Sequence, residues 1–375
     1  MKLMIIFGTR PEVIKLAPVI NEARRRAHNL ELIVCSTGQH RQMLDQALAV
    51  FGITPEVELA VMQENQTLST LTGRLVESLA ATYTVHRPNI VMVQGDTTTA
   101  FAAALAAFYQ HIPVAHVEAG LRTGDLSSPF PEELNRVMIG RIARWHFAPT
   151  KKSAQNLLRE GVDPGNVLIT GNTVVDAIVT MQNQWNKTGS ITDLPELFNA
   201  RSKVLITAHR RENFGEGLQQ ICTAISTLCF RHPELGFIFP VHLNPQVRTV
   251  VYKMLSNLEN LELIEPVDFQ TNLKLQSQSC LIITDSGGIQ EEAPSFGVPT
   301  VVMRGQTERY EGIDAGFATL AGVTADGIVN AAERYLSDTT LTQQLRSKPN
   351  PYGDGKASQR IIAHLLGESV EAFCG

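Results

Sequence analysis

Short apolar runs alternate with longer stretches of helical period from one end of the chain to the other. That alternation predicts parallel strands covered by the helices that join them. LMIIFG, ELIVCST, NIVMVQGD, PVAHVEAG, WHFAPT and VLITGN read as strands of a first half. KVLITAH, GFIFPVH, LELIEP, CLIITDSGG, TVVMR and ATLAG read as strands of a second. Between them, Met181 to Lys203 loses its period and carries Gly189, Ser190 and Pro195, which predicts a linker. Neither an internal repeat of short period nor a low-complexity segment breaks the pattern.

Two doubly wound halves place their ligands just beyond the carboxyl ends of the strands. The polar motifs fall there. GTRPE follows the first strand, GDTTT the third, HVEAGLRTGD the fourth, AHRREN the first strand of the second half, and DSGG a later one. The DSGG turn, running from a strand into a helix, is suited to a phosphate, because the N–H groups of a first helical turn lack intrahelical acceptors. No G-x-G-x-x-G and no G-x-x-x-x-G-K-[ST] occurs, which argues against a dinucleotide fingerprint and a P-loop.

Length and composition narrow the class. The 375 residues suffice for two domains, each with its own core. Hydrophobic residues at 43% and charged residues at 18% are ordinary for a globular protein. A net charge of −5 gives no reason to expect nucleic acid as partner, so an anionic ligand must be held by a local site. Cys35, Cys222, Cys229, Cys280 and Cys374 are odd in number and mostly set in apolar segments, which predicts free thiols rather than a disulfide framework. The longest apolar run, near Ala100 to Phe108, is far short of the ~20 residues of a membrane span. With no signal-peptide shape at the N-terminus, a cytoplasmic protein away from membranes is expected.

Each candidate residue has a plain structural explanation beside the chemical one. Arg10 opens a helix, where a cation is disfavoured by the dipole unless it answers an anion or turns to solvent. Lys15 alone would be a lysine extending past apolar neighbours to solvent. Asp96 before three threonines is explained equally well as an N-cap. Glu132 and Glu133 after Pro131 suit a first helical turn. Glu118 is harder to explain structurally: it lies inside the apolar run PVAHVEAG, and burying a carboxylate costs several kcal/mol unless it is paired or used. His209, Arg210, Arg211 and Glu212 would by default be a surface charge cluster. No H-x-x-x-H or H-E-x-x-H spacing supports a metal site. Carboxylates at the strand ends of one half and a phosphate turn in the other suit proton transfer beside a nucleotide leaving group.

GTRPEVIKLAP, TGQHRQMLDQ, VQGDTTTAFAAALAAFYQHIPVAHVEAGLRTGD, SPFPEELNR, ITGNTVVDA, TAHRREN, PVHLNP, TDSGGIQEEAPSFGVP and NPYGDG, in this order from residue 1 to about residue 365, resemble the non-hydrolysing UDP-N-acetylglucosamine 2-epimerases. The GTRPE opening favours that branch over the hydrolysing one. The resemblance implies a GT-B fold: two Rossmann-like doubly wound parallel-sheet domains with the active site in the cleft between them, usually as a homodimer. On this basis residues 1–172 form the first domain, joined by a C-terminal helix at about 359–375, and residues 173–358 the nucleotide-binding domain. The implied reaction is reversible inversion at C2 of the sugar of UDP-N-acetylglucosamine, through loss of UDP to a 2-acetamidoglucal and its return. It needs no cofactor and no metal. Matching motif to motif, the resemblance makes Asp96, Glu118, Glu132 and His209 catalytic. It assigns Arg10, Lys15, Ser286, Gly287, Gly288, Glu292, Arg309 and position 272 to the nucleotide. Gln39, Gln42 and Arg210 match positions that in some members hold a second substrate molecule as an activator.

Departures from the family cluster around the base. Asn272 stands where an aromatic residue usually packs on uracil, and the usual RDTTERPE reads RGQTERYE, introducing Gly305, Gln306 and Tyr310. An amide lacks the stacking face of a ring. Asn65 replaces an arginine of some activated relatives. The same epimerisation on a sugar carrying another nucleotide or on a modified sugar, a GT-B glycosyltransferase and an inactive nucleotide-sugar-binding regulator therefore stay open as alternatives. The glycosyltransferase has no need of the GDTTT and HVEAGLRTGD acids together. Glu291 receives no role, whereas Glu292 suits the ribose hydroxyls beyond the phosphates.

Overall fold

The computed structural model describes residues 1–38, 41–63, 66–188, 202–210 and 213–375. The chain divides into two compact units, Met1–Thr180 with Tyr352–Gly375, and Met181–Pro351.

In unit 1 the strands are β1 (Lys2–Phe7), β2 (Glu31–Ser36), β3 (Val57–Glu58), β4 (Ile90–Gln94), β5 (Val114–Val117), β6 (Trp145–Ala148) and β7 (Val167–Ile169). They form one parallel sheet in the order β3-β2-β1-β4-β5-β6-β7. Six were predicted from the apolar runs; β3, two residues long, is too short to show a period. Helices α1 (Arg10–Arg25), α2 (Arg41–Phe51), α3 (Leu68–His86), α4 (Thr98–Tyr109), α5 (Glu132–Ile142), α6 (Lys151–Arg159) and α7 (Thr173–Thr188) follow in turn. Met4, Ile6, Val91 and Val93 pack against Leu75, Leu79 and Tyr83 of α3 and the alanine-rich α4. Buried Tyr83 keeps its hydroxyl satisfied by donating to the Ala103 carbonyl at 3.0 Å. Helix α7 runs to Thr188, so Met181–Thr188, the start of the expected linker, is helical; residues 189–201 lie outside the described residues.

Unit 2 holds β8 (Lys203–Thr207), β9 (Gly236–Pro240), β10 (Leu261–Ile264), β11 (Ser279–Thr284), β12 (Thr300–Val302) and β13 (Ala318–Leu320), all six predicted. The order is β10-β9-β8-β11-β12-β13, again parallel. Its helices are α8 (Glu216–Arg231), α9 (Pro245–Leu255), α10 (Phe269–Gln278), α11 (Gly287–Glu292), α12 (Tyr310–Asp314), α13 (Ala325–Ser337) and α14 (Thr339–Ser347). After it the chain returns to unit 1, where α15 (Ala357–Leu365) packs on α1. Asp176 of α7 caps α15, accepting from Ser358 N at 2.8 Å, Ser358 Oγ at 2.6 Å and Ala357 N at 3.2 Å.

Both sheets reverse their strand order next to the first strand, between β1 and β4 and between β8 and β11. Loops diverge at such points, leaving a crevice at the strand ends. Tight backbone contacts shape the neighbouring loops. At Gly120 φ is +90°, and a Cβ there would lie 2.2 Å from the Ser153 carbonyl oxygen. Gly120→Ala is therefore expected to cost about 3 kcal/mol, left-handed strain and overpacking acting together. A urea midpoint unchanged from the parent would contradict this.

All five cysteines are free thiols. Among the described residues no helix is long and apolar enough to cross a membrane.

Candidate active site

At the β1/β4 reversal the chain comes unusually close to itself: a Cβ on Gly8 would meet Thr37 Oγ1 at 2.4 Å and Thr99 Oγ1 at 2.5 Å. Buried Glu12 ties the two loops together. Its Oε2 accepts from Gly8 N at 3.0 Å and from Thr9 N and Oγ1 at 2.8 Å, while Oε1 accepts from Thr97 Oγ1 at 2.7 Å. Burial raises the Glu12 carboxyl above its ordinary range despite these donors. Arg10 at the start of α1 is half-buried and, among the described residues, has no side-chain bond or ion pair. A guanidinium at the positive end of a helix, with no carboxylate among the described residues to answer it, suits an anionic ligand.

Asp96 follows β4, but Thr97 is the residue that caps α4, accepting from Ala100 N at 3.0 Å. The capping explanation of Asp96 therefore fails. Its carboxylate accepts from Arg136 Nη1 at 3.2 Å and keeps about a quarter of its surface exposed. Arg136 is also held by buried Glu133, which accepts from Thr123 N and Gly124 N at 3.0 Å. Burial pushes the Glu133 carboxyl up, but the Gly124 N–H, Arg136 and the Thr123 N–H outweigh it and leave it below the usual range. Glu132 stands half-buried in the first turn of α5.

Glu118 directly follows β5 in a left-handed backbone conformation, φ +64°, uncommon for a residue with a side chain. It is buried and meets three partners from distant parts of unit 1: Lys15 Nζ and Gln94 Nε2 bond its two oxygens, and Asn172 Nδ2 donates to Oε1 at 3.2 Å. Lys15, assigned from the sequence to the diphosphate, is thus an ion-pair partner of Glu118. Behind them, His116 Nε2 donates to the Gly95 carbonyl at 2.7 Å. Burial lowers the His116 imidazole to about 3 and its neighbour His146 to about 4, so both are neutral at pH 7.

The β8/β11 reversal in unit 2 is organised by Asp285, whose side chain is fully buried. It accepts from His209 N at 3.0 Å, Arg210 N at 2.9 Å and Asn213 Nδ2 at 3.0 Å, and from His209 Nδ1 at 3.2 Å. Burial raises the Asp285 carboxyl, but His209 and these N–H groups prevail and lower it below the ordinary value. Nδ1–H of His209 is committed to Asp285, which leaves Nε2 as the basic nitrogen on a partly exposed ring. His242 stacks on that ring, with centroids 6.2 Å apart.

At the DSGG turn, Ser286 N–H donates to Thr284 Oγ1 at 2.9 Å and so is not offered to a phosphate; the side-chain hydroxyl of Ser286 is what it has to give. Gly287 and Gly288 begin α11, where their N–H groups lack intrahelical acceptors. Arg309 lies against Gly287: a Cβ there would meet the guanidinium carbon at 2.8 Å. Arg309 is held by Glu291 Oε1 at 2.8 Å and by Glu308. Burial raises the Glu308 carboxyl, but Arg309 and Arg304 draw it far below the usual range. Glu291, without a role in the sequence, is therefore the buried counter-ion of Arg309. Glu292 Oε2 accepts from Gln276 Nε2 at 2.6 Å, and its Oε1 lies over Gly288. Asn272 is half-buried in the first turns of α10, while Tyr310, Gly305 and Gln306 are exposed.

Comparison with known proteins places this arrangement. Residues 22–366 match the family profile described as UDP-N-acetylglucosamine 2-epimerase. The chain is similar to the UDP-N-acetylglucosamine 2-epimerase of Yersinia pestis, 45% identical with 99% of this chain and 100% of that one aligned. That of Campylobacter jejuni is 46% identical, with 97% of each chain covered. The chain belongs to the UDP-N-acetylglucosamine 2-epimerase family. Among solved structures, the UDP-GlcNAc 2-epimerase of Neisseria meningitidis bound to UDP-GlcNAc superposes with a TM-score of 0.92 at 43% identity, over 98% of this chain and 100% of that one. The two parallel-sheet units are of the GT-B type of this epimerase family.

Within the epimerase fold, unit 1 brings together Lys15 and Glu118 and holds Asp96 on Arg136. Unit 2 brings together His209 with Asp285, and Arg309 with Gly287. Gln39, Asn65, Arg211 and Glu212 lie outside the described residues, as does the side chain of Gln42, while Arg210 is half-buried with its N–H on Asp285. Asp285, Glu308 and Gln276 were not singled out from the sequence. Asp285 had a signal, a carboxylate directly after a largely apolar strand, much as Asp96 comes two residues after the end of β4.

Proposed function

We propose that this chain interconverts UDP-N-acetylglucosamine and its N-acetylmannosamine epimer by inverting C2, with loss and return of UDP. A base takes the C2 proton while the C1–O bond breaks and its electron pair leaves with UDP, forming the C1=C2 bond of a 2-acetamidoglucal. In the return step a diphosphate oxygen attacks C1 and an acid delivers a proton to the opposite face of C2. The C2 proton is weakly acidic, so stabilising the departing diphosphate must carry much of the barrier. Arg10, Arg309, the Ser286 hydroxyl and the N–H groups of Gly287 and Gly288 are assigned that work.

The observation that carries the reading is Glu118: a buried carboxylate in a strained backbone conformation, gripped by Lys15, Gln94 and Asn172. A buried charge in such a backbone conformation costs stability, which supports a functional reason for it. Glu118, Asp96, Glu132 and His209 are assigned proton transfer, because inversion needs groups on both faces of C2. Asp285 orients His209. No redox or metal cofactor has a step in this scheme. A homodimer fits the exposed apolar residues Phe108 and Tyr109 of α4, Leu134 and Met138 of α5, and Phe130 before it.

Incubation with UDP-N-acetylglucosamine in heavy water tests the function. Deuterium at C2 of both epimers is the expected result; transfer of the sugar to an added acceptor without exchange, or binding without exchange, would refute it. The base has its own test. Asn272→Phe is expected to tighten UDP about fivefold, the worth of one added ring stack. Calorimetry finding no gain would place the base away from position 272.

A further inference from the structure

Asn172 lies between β7 and α7 and is buried. Both ends of its amide and both of its main-chain groups are committed within unit 1. Oδ1 accepts from Val174 N at 3.0 Å and the carbonyl from Val175 N at 3.1 Å, so the residue caps the first turn of α7. The main-chain N–H donates to the Tyr352 carbonyl at 2.7 Å, and Nδ2 donates to Glu118 Oε1 at 3.2 Å. Reversing the amide would set Nδ2 against the Val174 N–H and Oδ1 against a carboxylate oxygen, so both ends dictate the same orientation. Aspartate caps a helix as well as asparagine does, but here it would face Glu118 with a second carboxylate. Serine also caps, on a side chain one bond shorter. The amide caps α7 and donates to Glu118 at once.

Its anchor lies where the chain returns. Tyr352 is the first residue of the segment that rejoins unit 1 after Met181–Pro351. Two turns pack there backbone to backbone: a Cβ on Gly171 would lie 3.2 Å from Gly353 Cα, and one on Gly353 would lie 3.3 Å from Asn172 N and 3.1 Å from Val175 Cγ2. Contacts this close leave Asn172 little room to shift. Lys15 and Gln94 also hold Glu118, each through a long side chain. Asn172 does so through a short amide whose direction the backbone fixes.

We propose that Asn172 is a positioning residue for proton transfer at C2: it orients the Glu118 carboxylate, and is itself held by the turn at which the returning chain rejoins unit 1. This rests on the assignment of Glu118 to proton transfer. A base turned away from its proton loses rate without loosening the substrate.

The experiment measures kcat and KM for deuterium exchange at C2 of UDP-N-acetylglucosamine in the parent, Asn172→Ser, Asn172→Asp, Gly353→Ala, Glu118→Gln, and Glu118→Gln combined with Asn172→Ser. Asn172→Ser keeps the cap and gives up the bond to Glu118; it is expected to lower kcat about tenfold, as for one bond to a charged group, and to change KM less than about twofold. Asn172→Asp replaces attraction by repulsion and should lower kcat about a hundredfold, with KM again near the parent's. The serine variant decides the matter if the aspartate one fails to fold, since it buries no second charge. Gly353→Ala should lower kcat about threefold, because the neighbours of the new Cβ must give way and carry Asn172 with them. In the Glu118→Gln background Asn172→Ser should cost nothing further, since its effect passes through Glu118. A parental kcat in Asn172→Ser, or a loss carried by KM, would overturn the proposal. So would the same tenfold loss repeated in the Glu118→Gln background, which would make Asn172 a structural residue of α7. A parental kcat in Gly353→Ala would overturn the anchoring by the returning chain. Normal exchange in Glu118→Gln would instead overturn the proton-transfer assignment beneath it.

Discussion

Glu118→Gln is expected to lower deuterium incorporation at C2 of UDP-N-acetylglucosamine by roughly a hundred- to ten-thousand-fold, the range associated with loss of one proton-transfer group. UDP binding should persist, since the diphosphate is assigned to other residues. The substitution also deprives Lys15 of its buried counter-ion, and removing one member of such a pair destabilises by itself. Lys15→Met in the same chain separates the two effects: the double variant should recover the melting temperature and not the exchange. Normal exchange in Glu118→Gln, with stability merely lowered, would make Glu118 a structural anchor for Lys15.

A drop in folding stability between pH 7 and pH 5 is the second large effect expected. His116 and His146 are buried on adjacent strands β5 and β6 and face each other in register. Burial holds them neutral down to about 3 and about 4, against an ordinary value of 6.5. Below 6.5 the unfolded chain takes up two protons that the folded chain refuses, so stability falls as pH falls. At pH 5 each imidazole accounts for about 2 kcal/mol and the pair for about 4 kcal/mol. Glu12 and Asp176, raised by burial, act in the opposite sense and make the slope shallower toward the carboxylate range. Asp285 and Glu133, lowered in the fold, add to the loss only at still lower pH. Urea denaturation at pH 7, 6 and 5 measures this directly; a flat profile would mean that both rings accept protons in the folded state.

The candidate site was legible in the sequence to an uneven depth. Glu118 stood out because a carboxylate in an apolar run needs an explanation, and Arg10 because a cation at a helix start does. Their surroundings did not stand out. Lys15, Gln94 and Asn172, which hold Glu118, come from 103, 24 and 54 residues away, and no local pattern links them. Asp96 was open to a capping role until the structure gave the cap to Thr97. Glu291 looked like a charge that should repel an anion from the DSGG turn; it is instead the buried partner of Arg309, and its charge is spent on holding that cation against Gly287.

The sequence by itself determined every strand but the two-residue β3, their parallel pairing into two doubly wound units and the motifs at their ends. These follow from periodicity and from the rule that such sheets place ligands at their carboxyl edge. Only tertiary structure decided which charges neutralise one another: Lys15 with Glu118, Arg136 with Asp96 and Glu133, Arg309 with Glu291 and Glu308. The reason is physical. Backbone pattern is local and repeats within a few residues, whereas the pairing of buried charges depends on which side chains converge when strands distant in sequence become neighbours in a sheet.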